Sequence, residues 1–307
     1  MRVLIDKYVP LLHGVLDSYA EVSFLEPEQF SPAMVRNADA LIIRTRTRCN
    51  AELLEGSRVQ FIATATIGTD HIDQAYCQSR GIKVVSCPGC NAQAVCDYVE
   101  EAISSQPSAV SGQQTIGIVG VGHVGSKVRA MVERRGWRVV LHDPPLGLFG
   151  DLTDCDIITF HTPLTRTGQW PTYHMCDAPF LSRCKPGALI INAARGGVVD
   201  EQALINSNHP FILDTWEGEP NINTRVLDRA LLASFHIAGY SVEGKRNASR
   251  MCLKALCEHF GLPRLKLQRA QSVAHGDNQP GWLQRVSDAL KANPQAFEQL
   301  RQEYRLR

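Results

Sequence analysis

The 307-residue sequence lacks what several function classes require. No apolar run approaches the ~18 residues of a membrane-spanning helix. Charge of one sign is missing too. Lys and Arg number 32 against 31 Asp and Glu, a net charge of +1, which argues against a nucleic acid or an acidic membrane held by bulk electrostatics. Only a local basic pocket remains open. There is no internal repeat and no low-complexity tract. The opening residues, Met1-Arg2-Val3-Leu4-Ile5-Asp6, hold too short an apolar stretch for a secretory signal. A cytoplasmic protein is expected, with its ten cysteines as reduced thiols and not a disulfide framework.

What is present is an ordinary globular composition, 44% hydrophobic and 21% charged, in a length that suggests two domains. Short apolar runs at 3–5, 22–25, 40–43, 59–63 and 82–85 alternate with helical patterns. That grammar predicts parallel sheets covered by helices on both faces. It repeats at 115–121, 137–142, 156–160, 188–192, 211–213 and 234–237. The stretch 104–114 is polar and turn-rich, as a surface connection would be. The interval 143–156 is short for a crossover helix, which is expected to shrink to a turn. Residues 281–292 and 294–305 are helical in pattern and broken by Asn293-Pro294. They carry no visible chemistry and read as a tail or oligomerisation element.

Gly120-Val121-Gly122-His123-Val124-Gly125 fits G-x-G-x-x-G. It follows a predicted strand and opens a predicted helix, the context in which the motif binds a dinucleotide. Gly120 allows the tight turn, Gly122 the approach of a pyrophosphate, and Gly125 close helix packing. The amides at the helix start take the phosphate charge. Asp143, at the end of the next strand, is placed to bond the ribose hydroxyls and repel a 2′-phosphate, favouring NAD over NADP.

Three further segments lie at or just after predicted strand ends, where ligands bind in such sheets. They contain Arg195, Glu219 and His236. Taken singly, each fits a structural role; the ordered set at strand ends argues for a site. Together with Thr64-Ala65-Thr66-Ile67-Gly68-Thr69-Asp70-His71, Pro88-Gly89-Cys90-Asn91-Ala92, Asp143-Pro144-Pro145, Phe160-His161-Thr162-Pro163-Leu164, Trp216-Glu217-Gly218-Glu219-Pro220, and His236-Ile237-Ala238-Gly239-Tyr240 with Glu243-Gly244-Lys245, this chain resembles the D-isomer-specific 2-hydroxyacid dehydrogenase family over about residues 1–260.

The resemblance implies an α/β fold of two doubly wound parallel-sheet domains. One is a flavodoxin-like substrate domain, 1–90, completed by about 244–262. The other is a Rossmann NAD domain, 91–243. A short helical C-terminal extension, 263–307, follows. It also implies an NAD-dependent oxidoreductase that works as a homodimer, with no metal. His236 is the expected base for the hydroxyl proton, because imidazole titrates near neutral pH. Glu219 would bond the other ring nitrogen and fix its tautomer. Arg195 would clamp the substrate carboxylate with its planar fork. Thr162, Asp214 and Gly239 are assigned to the nicotinamide end of the cofactor.

Thr45 and Thr66 match substrate-contact positions of the family, and Tyr240 resembles another, although it equally fits a packing role. Arg44, in Arg44-Thr45-Arg46-Thr47-Arg48, is the expected contact for a substrate phosphate, with Lys245 behind it. If that segment is extended, the three arginines share one face and the threonines the other. The expected partner is thus a small phosphorylated hydroxy acid. Two alternatives stay open: a dehydrogenase of phosphoglycerate, glycerate or lactate, and a non-catalytic NAD-sensing protein. Cys87-Pro88-Gly89-Cys90 is a C-x-x-C, but a zinc site needs two further ligands, for which Cys96 is the one candidate, and the pair reads as ordinary thiols.

Overall fold

The computed structural model describes residues 1–106, 112–268 and 279–306, so the 104–114 connection lies partly outside the described residues. The fold is α/β and divides into two compact units. One holds Met1–Asn91 and the segment beginning at Ser241; the other holds Ala92–Tyr240 and the C-terminal segment.

The first unit is built on five strands: β1 (Arg2–Asp6), β2 (Glu21–Leu25), β3 (Ala40–Ile43), β4 (Phe61–Thr64) and β5 (Lys83–Val85). All pair in parallel, in the order β2-β1-β3-β4-β5. Side chains alternate between the sheet faces, and both faces are buried. Val3, Ile5, Ala40, Ile42, Phe61 and Ala63 share one core with Leu253 and Leu256 of the helix Val242–Phe260. Leu4, Leu41, Ile43 and Ile62 face a second core with Val35 and Leu54. Burial on both sides explains why these strands read as continuous apolar runs. The helix Val242–Phe260 starts where the Ser241 hydroxyl accepts the Gly244 N–H, and stops at Gly261, whose φ of 64° is left-handed.

The second unit has seven strands: β6 (Thr115–Val119), β7 (Arg138–Asp143), β8 (Leu148–Phe149), β9 (Ile157–Phe160), β10 (Leu189–Asn192), β11 (Phe211–Leu213) and β12 (Leu232–Ala233). Their order is β12-β11-β10-β9-β6-β7-β8, and only β8 is antiparallel to its neighbour. After β7 the chain makes a 3-10 turn, Pro144–Leu146, and returns as β8. A short hairpin therefore replaces the crossover helix.

The expected strand at 234–237 does not form. The extended strand β12 stops at Ala233, because the Asp214 carboxylate accepts the amides of Ile237 and Ala238 and pulls the backbone into a turn. The C-terminal helices Trp282–Ala292 and Phe297–Glu303 are no loose tail. Trp282, Leu283, Leu290 and Phe297 are buried in this unit's core. The Ser287 hydroxyl accepts the Ala233 N–H at 3.0 Å, so the first of these helices lies along the edge strand β12. Among the described residues no helix is long and apolar enough to cross a membrane.

Candidate active site

The glycine turn sits between β6 and the helix His123–Arg134. Gly120 has φ 87°, and a Cβ there would lie 2.8 Å from the His161 carbonyl carbon. A Cβ on Gly125 would lie 2.0 Å from the Gly120 carbonyl oxygen. A Cβ on Gly122 would meet nothing within 4 Å, and Gly122 begins the helix without a side-chain cap. Two glycines thus serve backbone packing, and the third leaves an open face in front of uncapped amides. This is the shape a pyrophosphate needs. His123 and Val124 form the first helical turn there. Asp143 Oδ2 accepts the Val121 N–H at 2.7 Å, so the acid is fixed against this turn. Thr162 abuts Gly120, since a Cβ on Gly120 would meet its methyl at 2.9 Å. These residues fit a bound dinucleotide.

His161 has no counterpart among the expected site residues. Its Nδ1 is buried without a hydrogen-bond partner among the described residues, and Nε2 lies 3.0 Å from the Thr159 hydroxyl. Burial drives its pKa down to about 3, so the ring is neutral. The sequence shows it only as one residue of a motif, with nothing to indicate that its ring nitrogen would be orphaned.

His236 follows β12 and has a left-handed backbone, φ 59°. A non-glycine residue held there costs of order 1–3 kcal/mol and persists only when its surroundings impose it. Here Asp214 imposes it. The Asp214 carbonyl accepts the His236 N–H at 2.8 Å. Its carboxylate, 1% exposed, accepts from the Ser234 hydroxyl at 2.6 Å and from the Ile237 and Ala238 amides at 2.8 and 2.9 Å. The family resemblance assigns Asp214 to the cofactor; in the structure both of its oxygens organise the turn that presents His236. Gly239 lies within that turn, which closes with Tyr240 N–H donating to the Ile237 carbonyl.

The loop after β11 brings Glu219 to His236, with Nδ1 and Oε2 2.8 Å apart. The other Glu219 oxygen accepts the Trp216 N–H at 2.8 Å. Burial pushes the Glu219 pKa up. The His236 ring and the Trp216 amide outweigh it, and the net direction is down, so Glu219 is a carboxylate. Arg195 is half-buried in the loop after β10, with Nη1 on the Ala194 carbonyl. That loop abuts the Glu219 loop: a Cβ on Gly196 would lie 1.9 Å from the Trp216 carbonyl oxygen. Arg195, Glu219 and His236 thus stand on adjoining loops at the carboxyl end of one sheet.

Beside them lies a group that sequence spacing did not reveal. His174 Nε2 is 2.9 Å from Glu217 Oε1, and Nδ1 is 3.8 Å from Asp200 Oδ2. Glu201, 7% exposed, accepts the Glu217 N–H at 2.6 Å. Its burial, reinforced by the carboxylates of Glu217, Glu219 and Asp200, raises its pKa to about 7.

In the first unit, the Arg44 guanidinium donates from Nε to the fully buried Asp6 at 3.0 Å and lies over the Tyr8 ring. Lys245 is half-buried near both; burial and the Arg44 charge lower its pKa, against Asp6. Segment 44–48 is a turn closed by Thr47 N–H on the Arg44 carbonyl, so the expected extended alternation is absent. Thr45 is exposed and Thr47 buried. The Thr66 hydroxyl lies 2.7 Å from that of Thr64, which lies 3.0 Å from His71 Nε2. All ten cysteines are free thiols; burial raises Cys90 to about 12, while a hydrogen bond with Cys252 lowers Cys87.

Residues 6–266 match the family described as D-isomer specific 2-hydroxyacid dehydrogenase, catalytic domain. Erythronate-4-phosphate dehydrogenase of Bacteroides fragilis is 43% identical over 100% of this chain and 97% of its own length. A solved structure of a Thermus thermophilus protein superposes with a TM-score of 0.69 at 26% identity, covering 87% of this chain and all of its own. The NAD+-bound 3-phosphoglycerate dehydrogenase of Entamoeba histolytica shares the fold, with a TM-score of 0.71 at 22% identity over 88% of this chain and 99% of its own. The chain belongs to the D-isomer specific 2-hydroxyacid dehydrogenase family and is an oxidoreductase.

Proposed function

We propose that this chain oxidises 4-phospho-D-erythronate at its 2-hydroxyl with NAD, giving 2-oxo-3-hydroxy-4-phosphobutanoate, NADH and a proton. The observation that carries the chemistry is the His236–Glu219 couple, at 2.8 Å, on a loop set adjoining Arg195. The relative of Bacteroides fragilis supplies the substrate. Bound nicotinamide supplies a hydride acceptor.

With Nδ1 directed at Glu219, His236 keeps Nε2 to take the hydroxyl proton. Glu219 holds the ring's orientation and offsets the charge that the ring acquires. Arg195 grips the substrate carboxylate and polarises the reacting oxygen. Gly120, Gly122, His123, Val124 and Gly125 cradle the dinucleotide phosphates, Asp143 faces the adenosine ribose, and Thr162 and Gly239 border the nicotinamide end. Asp214 serves that end by fixing the turn of His236. Thr45, Thr66 and Tyr240 contact the substrate. Arg44 and Lys245 offer positive charge to its phosphate, Arg44 through its terminal nitrogens because Nε is held by Asp6.

A homodimer, a cytoplasmic location and a place in vitamin B6 synthesis belong to the same reading. The test is NADH formation on D-2-hydroxy acids with and without a 4-phosphate. Strong preference for 4-phosphoerythronate is expected. Equal turnover of both sets defeats the substrate assignment, and binding of dinucleotide without turnover of any acid points to a sensor.

A further inference from the structure

Arg195, Glu219 and His236 lie inside the residue range common to the family, but the chain continues past residue 266. The likeness to the Bacteroides relative runs through this continuation, whereas the Thermus structure is fully matched by 87% of the chain. Among the described residues, the continuation brings the side chain of Arg301 to Tyr240. Its helix, Phe297–Glu303, is anchored by the fully buried Phe297 and by Leu300 packed on the unit's core. Tyr304 sets its ring edge-on to Phe235, 5.9 Å between centroids, and tilted toward Tyr240 at 6.5 Å. The helix is therefore fastened to the same stretch that carries His236.

From there Arg301 Nε donates to the Tyr240 hydroxyl at 3.0 Å. Its side chain is one-quarter exposed, and its charge reaches Glu219. Nη1 lies 3.5 Å from Glu298 Oε2, one turn back on the same helix. Glu298 is well exposed, so solvent weakens that pair. Arg44 differs, because its Nε faces a carboxylate with no exposure at all. Arg195 is given to the substrate carboxylate, and a phosphate dianion has room for more cationic contacts than Arg44 and Lys245 supply. A guanidinium presents a planar set of donors that suits phosphate oxygens.

We infer that Arg301, presented by the C-terminal helix beside Tyr240, binds the phosphate of the substrate and makes that helix a specificity element. The inference rests on the phosphorylated-substrate reading above. The test compares kcat/KM for 4-phospho-D-erythronate and for unphosphorylated D-erythronate in the wild type, Arg301→Gln and Arg301→Lys, with melting temperatures measured alongside. Losing one charge-assisted contact should shrink the preference for the phosphorylated acid roughly ten- to a hundred-fold in Arg301→Gln, chiefly through KM. Arg301→Lys should recover part of it, and decides the question alone if the glutamine variant fails to fold. An unchanged preference in a folded variant, or equal losses on both acids, overturns the inference. A wild type with no preference for phosphate removes instead the substrate reading, and this inference with it.

Discussion

His236 Nδ1 stands 2.8 Å from Glu219 Oε2, while the Trp216 amide holds the other oxygen of the same carboxylate at 2.8 Å. The carboxylate cannot rotate without losing one of these bonds, so it fixes which imidazole nitrogen is left for the substrate. In Glu219→Gln the Trp216 N–H keeps the amide oxygen, so the NH2 group faces the ring, which reverses that choice. The expected result is a fall in kcat of about 10²–10⁴-fold with dinucleotide affinity retained. Steady-state kinetics with equilibrium binding measures both.

The two outer glycines and the middle one should fail differently. Gly125→Ala forces a Cβ to within 2.0 Å of a backbone oxygen, so the turn must distort. Both stability and dinucleotide affinity should fall, the former by about 1–3 kcal/mol. Gly122→Ala meets nothing within 4 Å. Its melting temperature should stay near that of the wild type while dinucleotide affinity drops about tenfold or more, because the methyl occupies the pyrophosphate face. Thermal denaturation paired with calorimetric titration separates the two.

Asp143 is held against the glycine turn by the Val121 amide. Replacing it with Ala should weaken NAD binding and narrow the discrimination against NADP, since a carboxylate repels a 2′-phosphate. The ratio of kcat/KM for the two dinucleotides should move toward NADP by about tenfold or more.

Glu201 gives stability a pH dependence of known sign. Burial first, and then the nearby carboxylates, raise its pKa from 4.5 to about 7 in the folded chain. The folded state keeps this proton at pH values where the unfolded state has released it. Its contribution is therefore full below about pH 4.5 and lost as the pH rises through about 7. Glu201→Gln keeps an oxygen for the Glu217 amide but cannot ionise. Between about pH 5 and pH 8 its stability should decline less than that of the wild type, by up to about 3 kcal/mol. Denaturant melts across that range test it.

Much of this could be read from residue order. The strands were legible because sheets buried on both faces select unbroken runs of Val, Ile and Leu, and the glycine turn because its three glycines obey spacing. Ser234-Phe235-His236-Ile237 misleads for a physical reason. It has strand-like composition, yet a carboxylate earlier in the chain, that of Asp214, takes the amides of Ile237 and Ala238 and turns it. Arg44 to Arg48 misleads in the same manner, since its alternation presumes an extended backbone that a hydrogen bond from Thr47 abolishes. Contacts assembled from distant positions leave no periodic trace. His174 with Glu217, the orphaned nitrogen of His161, and Arg301 on Tyr240 are all of this kind.

The most direct measurement is dinucleotide reduction by wild-type protein and by His236→Gln, with 4-phospho-D-erythronate as substrate and dinucleotide affinity determined on the same samples. Loss of turnover by about 10²–10⁴-fold, with affinity for the dinucleotide within about twofold, is expected if this imidazole moves the hydroxyl proton. Turnover that survives the substitution unchanged would contradict it and require a different base.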